Sequence, residues 1–228
     1  LPDTCELAGN DCDSNGVPDE CDADCNANGK VDGCEFAGES QVFWTDGLAD
    51  SLQGQWLDGT NLLTVAAGQS IPRGVKLDRA AGRVYWIDDA SNTLRRADYD
   101  GNNIEDVVTN GLNSPVDLAL DLGAGKVYIT DADRILRADL DGSNLQTFLS
   151  TGFCPGSLAL DLADQRMYWA NPCADVIRRA RLDGTDVEDV VQVDTQDIAL
   201  DLVRGKIYWT YLPGDVIQRA NLDGTDVE

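Results

Sequence analysis

The residues best suited to chemistry lie within the first 35 positions. Asp11, Asp13, Asn15, Asp19 and Asp22 occupy positions 1, 3, 5, 9 and 12 of a loop whose position 6 is Gly16. A hard divalent cation takes six to eight oxygen ligands. Alternate residues point inward, glycine permits the sharp turn, and the residue after it, Val17, offers its main-chain carbonyl. Thirteen residues later Asp24, Asn26, Asn28, Gly29, Asp32 and Glu35 fill the same positions, with Lys30 supplying the position 7 carbonyl and Glu35 able to bind through both carboxylate oxygens. Two tandem copies in one register predict calcium as the cofactor. The short repeat leaves no room for the flanking helices of an EF-hand, so these are read as stacked calcium loops.

Elsewhere, catalysis has little to work with. The chain has no histidine, no Gly-x-Ser-x-Gly elbow and no cysteine beside a base, which leaves nucleophilic catalysis without its usual sets. Asp117 and Asp197 are the one pair of inner-strand carboxylates that could sit together at a metal. A calcium-dependent propeller hydrolase or lyase acting on a lactone or ester is therefore the alternative to a non-catalytic binding protein.

Charge restricts the partners. Against 17 basic residues stand 41 acidic ones, a formal charge of -24 over 228 residues, which repels nucleic acid phosphates and anionic lipid. Calcium ions, a protein or a surface glycan are the expected partners. Five of the seven cysteines fall between Cys5 and Cys34 in a stretch almost without large apolar residues. Such density predicts disulfides and an extracellular or cell-surface location. Zinc would ask for cysteine and histidine quartets at short spacing, and histidine is absent. No apolar run is long enough to span a bilayer, so no membrane insertion is expected within this segment.

From residue 43 onward one phrase returns about every 40 residues: an aromatic strand, a polar loop, an Arg-Ala strand and a Leu-Asp-Gly turn. That period suits a four-stranded propeller blade. Apolar positions alternate over four to seven residues and stop at Gly, Asp, Asn or Pro, the pattern of short half-buried strands. In the third repeat the predicted strands are 116–122, 126–130, 134–140 and 145–149, with Asp141-Gly142 closing the last hairpin. The fold class is thus all-β.

Two resemblances sharpen these readings. Asp24-Cys25-Asn26-Ala27-Asn28-Gly29, continuing to Asp32 and Cys34, resembles thrombospondin type 3-like calcium repeats. That resemblance implies bridges Cys12 to Cys21 and Cys25 to Cys34; the spacings alone equally allow Cys5 to Cys12 with Cys21 to Cys25. Phe43-Trp44-Thr45-Asp46, Tyr85-Trp86-Ile87-Asp88, Tyr128-Ile129-Thr130-Asp131, Tyr168-Trp169-Ala170-Asn171 and Tyr208-Trp209-Thr210-Tyr211 resemble the YWTD repeat of low-density lipoprotein receptor class B. So do Leu118-Ala119-Leu120-Asp121, Leu158-Ala159-Leu160-Asp161 and Ile198-Ala199-Leu200-Asp201. The resemblance implies a six-bladed propeller in which the Tyr, Trp and Asp are structural and a ligand binds the loop face. Arg96, Arg137, Arg179 and Arg219 recur at one strand position, which argues for a structural ion-pair or packing role.

Specific function then belongs where the repeats differ. The loop entering a blade's first strand and the loop leaving its second share a face, which predicts a Cys154 to Cys173 disulfide and a candidate binding face of Arg73, Lys76, Asp89, Asp117, Asp133, Pro172, Tyr211 and Pro213. The expected organisation is calcium repeats over 1–35, a linker over 36–42 and a YWTD-like propeller over 43–228. Six blades need about 240 to 250 residues at this period. The chain is therefore expected to be a fragment, with about 4.5 blades and a C-terminus inside a blade.

Overall fold

A computed structural model describes residues 41–57, 59–152 and 154–228; the predicted calcium ligands and Cys12, Cys21, Cys25 and Cys34 lie outside them. Eighteen strands form five antiparallel sheets in chain order. The first blade holds β1 (Gln41–Asp46), β2 (Ser51–Trp56) and β3 (Leu63–Ala66). The second holds β4 (Pro72–Asp78), β5 (Arg83–Asp88), β6 (Thr93–Asp98) and β7 (Glu105–Val108). Next come β8 (Pro115–Asp121), β9 (Lys126–Asp131), β10 (Arg134–Asp139) and β11 (Gln146–Ser150). The fourth comprises β12 (Leu158–Asp161), β13 (Arg166–Asn171), β14 (Val176–Arg181) and β15 (Glu188–Gln192), and the fifth β16 (Ile198–Asp201), β17 (Lys206–Tyr211) and β18 (Val216–Asn221). The strands of the third blade fall within a residue or so of their predicted bounds. No described helix is long and apolar enough to cross a membrane.

Strand alternation explains how the blades assemble. Val84 and Trp86 of β5 face back onto Phe43, Leu52 and Val65 of the first blade. Their neighbours Tyr85 and Ile87 face forward, with Leu94, onto Leu118, Val127 and Ile129 of the third. The same exchange joins the third blade to the fourth and the fourth to the fifth. Each blade thus has two apolar faces, and burying them on both neighbours supplies the core.

Repeated carboxylates fix the turns. Asp78, Asp121, Asp161 and Asp201 end the innermost strands and accept main-chain N–H bonds from Ala81, Ala124, Asp164 and Arg204, at 3.0, 2.9, 3.1 and 3.0 Å. Asp88 and Asp131, the last residues of the aromatic strands, accept instead from Ser70 and Asn113 in the loop entering the same blade. Gly142 takes φ 84° in its hairpin, and a Cβ there would overlap the Val107 carbonyl of the preceding blade.

Two of the recurring arginines clamp one blade to the next. Arg96 pairs with Glu105 at 2.7 Å and donates to the Leu140 carbonyl of the third blade at 3.0 Å. Arg179 pairs with Glu188 at 2.6 Å and donates to the Leu222 carbonyl of the fifth. Arg219 pairs with Glu228, whose main chain exchanges two hydrogen bonds with it as a fourth strand would. Burial opposes charge on Arg96 and Arg179, yet their hydrogen bonds to tyrosine and glutamate raise both pKa values. Arg179 correspondingly holds the Glu188 carboxyl below its ordinary value. Arg137 departs from the pattern: its cross-strand partner is Gln146, and its guanidinium lies 5.0 Å from the Phe148 ring centroid.

The first and fifth blades each keep one face uncovered. Leu94, Ile135, Ile177 and Ile217 are equivalent, and the first three are fully buried whereas Ile217 is 73% exposed. Likewise Val42 is 44% exposed where Val84, Val127, Met167 and Ile207 are buried. Among the described residues this is an incomplete ring, three four-stranded blades flanked by two of three strands. Ile177→Ala is therefore expected to cost about 2 to 5 kcal/mol, and Ile217→Ala no more than about 0.5 kcal/mol. Urea unfolding of the two variants checks the difference; equal losses would contradict it.

Candidate functional site

Directly before the Leu-Ala-Leu-Asp phrase, or its counterpart Val75-Lys76-Leu77-Asp78, the sequence carries Gly74, Asp117, Ser157 and Asp197, and the differences among them shape the mouth of the central channel. Gly74 sits at a bulge in β4, where Arg73 and Val75 oppose the adjacent Ile87 and Trp86. A Cβ on Gly74 would stand 2.5 Å from the Asp117 carboxylate. Glycine therefore makes room for Asp117, which is only 7% exposed.

Asp117 connects three blades. One carboxylate oxygen accepts from Lys76 Nζ of the second blade at 3.0 Å and from the Leu118 N–H at 2.8 Å. The other accepts from the Leu158 N–H of the fourth blade at 2.9 Å. Its own N–H donates to Thr130 Oγ1 at 3.0 Å. Burying a carboxylate demands such partners. Lys76, which stands where the next three blades carry alanine, thus neutralises a charge at the channel wall.

The channel encloses about 860 Å³. Leu120, Leu160 and Leu200 line its inside, and Arg73, Lys76, Asp117, Pro172, Gln196 and Asp197 its polar end. Cys154 also lines it and is bonded to Cys173, with Cα atoms 5.9 Å apart. The bridge ties the loop entering β12 to the loop leaving β13. Asp89 sits at the rim, held by Arg73 at 2.8 Å. Three other predicted face residues lie off the channel wall. Asp133 is exposed and uses its carbonyl to accept from Thr151 and Gly152; Tyr211 packs on the core between the fourth and fifth blades; Pro213 is exposed in the 3-10 turn Leu212–Gly214.

Sequence reasoning overlooked Gly74, Gln196 and the leucine lining. The leucines were in view as the third residue of each Leu-Ala-Leu-Asp phrase, but only the closed geometry turns that position to the axis. Of the carboxylate pair Asp117 and Asp197, the first is engaged by Lys76 and two amides and the second is exposed. Among the described residues no three His, Cys, Asp or Glu side chains converge as a metal-ligand group.

No protein-family model matches the chain. Low-density lipoprotein receptor-related protein 5 of Mus musculus is 29% identical over 143 residues, covering 60% of this chain and 9% of the receptor. The vitellogenin receptor of Solenopsis invicta is 27% identical over 140 residues, covering 58% of this chain and 8% of the receptor. The chain thus spans less than a tenth of either relative. A chain of the nidogen/laminin complex superposes with a TM-score of 0.69 at 21% identity, over 79% of this chain and 73% of that one. A gluconolactonase from Xanthomonas campestris gives 0.68 at 21% identity, over 81% and 70%. A streptogramin B lyase gives 0.66 at 13% identity, over 83% and 64%. These structural likenesses speak to the fold. With the five aromatic phrases, they make the described residues an incomplete YWTD-type β-propeller.

The Cys154–Cys173 bridge closes a loop with a sequence separation of 19. Replacing both cysteines by serine is expected to lower stability by about 3 kcal/mol through the freed unfolded chain, as read from denaturant midpoints under non-reducing conditions. An unchanged midpoint would contradict a closed bridge.

Proposed function

We propose that this chain is an extracellular or cell-surface protein-interaction module that binds a partner protein at the loop face around the channel mouth. The observation that carries this reading is the mouth itself: a rigid rim of paired charges, Arg73 with Asp89 and Lys76 with Asp117, around an apolar channel and braced by a disulfide. Fixed charges of both signs around an apolar centre suit a protein surface, giving orientation and specificity. Both curated relatives are receptors by name, and nidogen was captured in a complex with laminin, which supports a protein partner.

The gluconolactonase likeness keeps a hydrolytic alternative on the page. That chemistry needs carboxylates that converge to hold a metal or take a proton; Asp117 is already occupied by a lysine and two amides, and exposed Asp197 belongs to no group of three metal-ligand side chains among the described residues. The binding reading is therefore favoured. Probing an array of extracellular protein ectodomains with the full chain is expected to identify a partner. Its affinity should fall at least about tenfold in Arg73→Glu/Lys76→Glu. A partner indifferent to that double change, or calcium-dependent hydrolysis of glucono-1,5-lactone, would overturn the reading.

We further propose that Asp11, Asp13, Asn15, Val17, Asp19 and Asp22 hold one calcium ion, and Asp24, Asn26, Asn28, Lys30, Asp32 and Glu35 a second. The support is the oxygen pattern of the sequence. Calorimetric titration of the full chain should give about two ions per molecule, and Asp11→Ala/Asp13→Ala should remove one. No binding heat in chelator-treated wild type would contradict this.

A further inference from the structure

One of the recurring arginines is left without its acid. In the second, fourth and fifth blades the arginine opposite the repeat tyrosine pairs with a carboxylate, Arg96 with Glu105, Arg179 with Glu188 and Arg219 with Glu228. In the third blade the same register sets Arg137 between Tyr128 and Gln146. Among the described residues it makes no ion pair and no side-chain hydrogen bond. The pair beside it is gone too: where Arg95 meets Asp106 and Arg178 meets Asp189, the third blade has Leu136 and Thr147. Arg137 rests instead against the Phe148 ring, 5.0 Å from its centroid. Its Nε is buried and unbonded, but the residue stays partly exposed, so its terminal nitrogens are the ones an incoming group meets.

The boundary is also looser there. A Cβ on Gly142 or Gly224 would overlap the carbonyl of Val107 or Val190 in the preceding blade, whereas one on Gly184 would stand 3.7 Å from the Phe148 carbonyl. The Leu-Asp-Gly turn of the fourth blade thus keeps its distance from β11, and Arg137 makes no counterpart of the bonds from Arg96 and Arg179 to the carbonyls of Leu140 and Leu222. β11 is the outermost strand of its sheet. In the other two four-stranded blades the outermost strand begins with two acids, Glu105-Asp106 and Glu188-Asp189, whereas Gln146–Ser150 carries no charge. Charges on an edge strand discourage further pairing, and an uncharged edge invites it. Among the described residues the third blade alone combines an uncharged outer strand with an unpaired arginine.

We propose that the outer edge of the third blade is a second docking surface, which takes an extended protein segment as an added strand with one Asp or Glu placed to pair with Arg137. Main-chain hydrogen bonds to β11 supply the adhesion, and the carboxylate sets the register. It takes the role that Glu105 and Glu188 play in the neighbouring blades. A single acid in an otherwise neutral segment fits a protein of charge -24, whereas a polyanion such as a sulfated glycan is repelled by it. β11 lies three strands out from β8, whose residues line the channel, so this surface is independent of the loop-face site.

The test uses the full chain with a capped heptapeptide, Thr-Val-Thr-Glu-Thr-Val-Thr, and its counterpart with glutamine at the centre, read by NMR titration and by amide hydrogen exchange. The glutamate peptide should bind saturably, with roughly millimolar affinity, and should protect amides of β11 and not those of β7 or β15. The glutamine peptide should bind roughly five- to tenfold more weakly. Gln146→Glu, which supplies the acid from within the blade, should cancel that preference while the melting temperature stays level or rises. Arg137→Gln should cancel it as well. The proposal is overturned by a lack of saturable binding, by equal protection of β7 and β15, by a glutamate preference that survives Gln146→Glu, or by a heparin fragment that binds more tightly than the peptide.

Discussion

Everything in this molecule depends on each blade burying two apolar faces against two neighbours. A three- or four-stranded antiparallel sheet cannot stabilise itself when both faces are apolar. The alternation of β5 shows the constraint in one strand, with Val84 and Trp86 facing one blade and Tyr85 and Ile87 the other. Because aromatic residues are spent on these boundaries, the most recognisable part of the repeat is scaffold. Specific chemistry is left to the loops and to positions where one copy departs from the rest.

Two of the boundaries are electrostatic as well as apolar. An arginine held by a glutamate on its own blade donates to a carbonyl on the next, so a partly buried charge is satisfied from both sides. Such a clamp fixes the rotation of one blade against its neighbour more directly than nonspecific packing does. Asp117 performs a comparable task at the channel, where one carboxylate joins the second, third and fourth blades. Rigidity at the mouth follows from these bonds and from the disulfide beside them, and a rigid rim is a good platform for recognition.

Much of this was legible in the sequence because a repeat is its own alignment. The strand bounds, the Asp-Gly hairpins and the proximity of Cys154 and Cys173 follow from period and topology alone. The structural role of the arginines was also legible, although Arg137 stacks on Phe148 where Gln146 replaces the glutamate. Other features needed register and three dimensions. Tyr211 is found packed on the core since it ends a strand at a blade boundary, and Leu120, Leu160 and Leu200 are seen to line the channel only once the blades are set around it. The acidic segment before residue 41 lies outside the described residues, and its calcium loops rest on sequence pattern.

Native-state hydrogen exchange on the full chain tests the dependence on neighbouring blades most directly. If two covered faces are what stabilises a blade, amides of β9 and β13 should exchange only through global unfolding. Those of β18, next to the exposed Ile217, should open locally at a much lower free energy. Uniform protection from β1 to β18 would contradict the account.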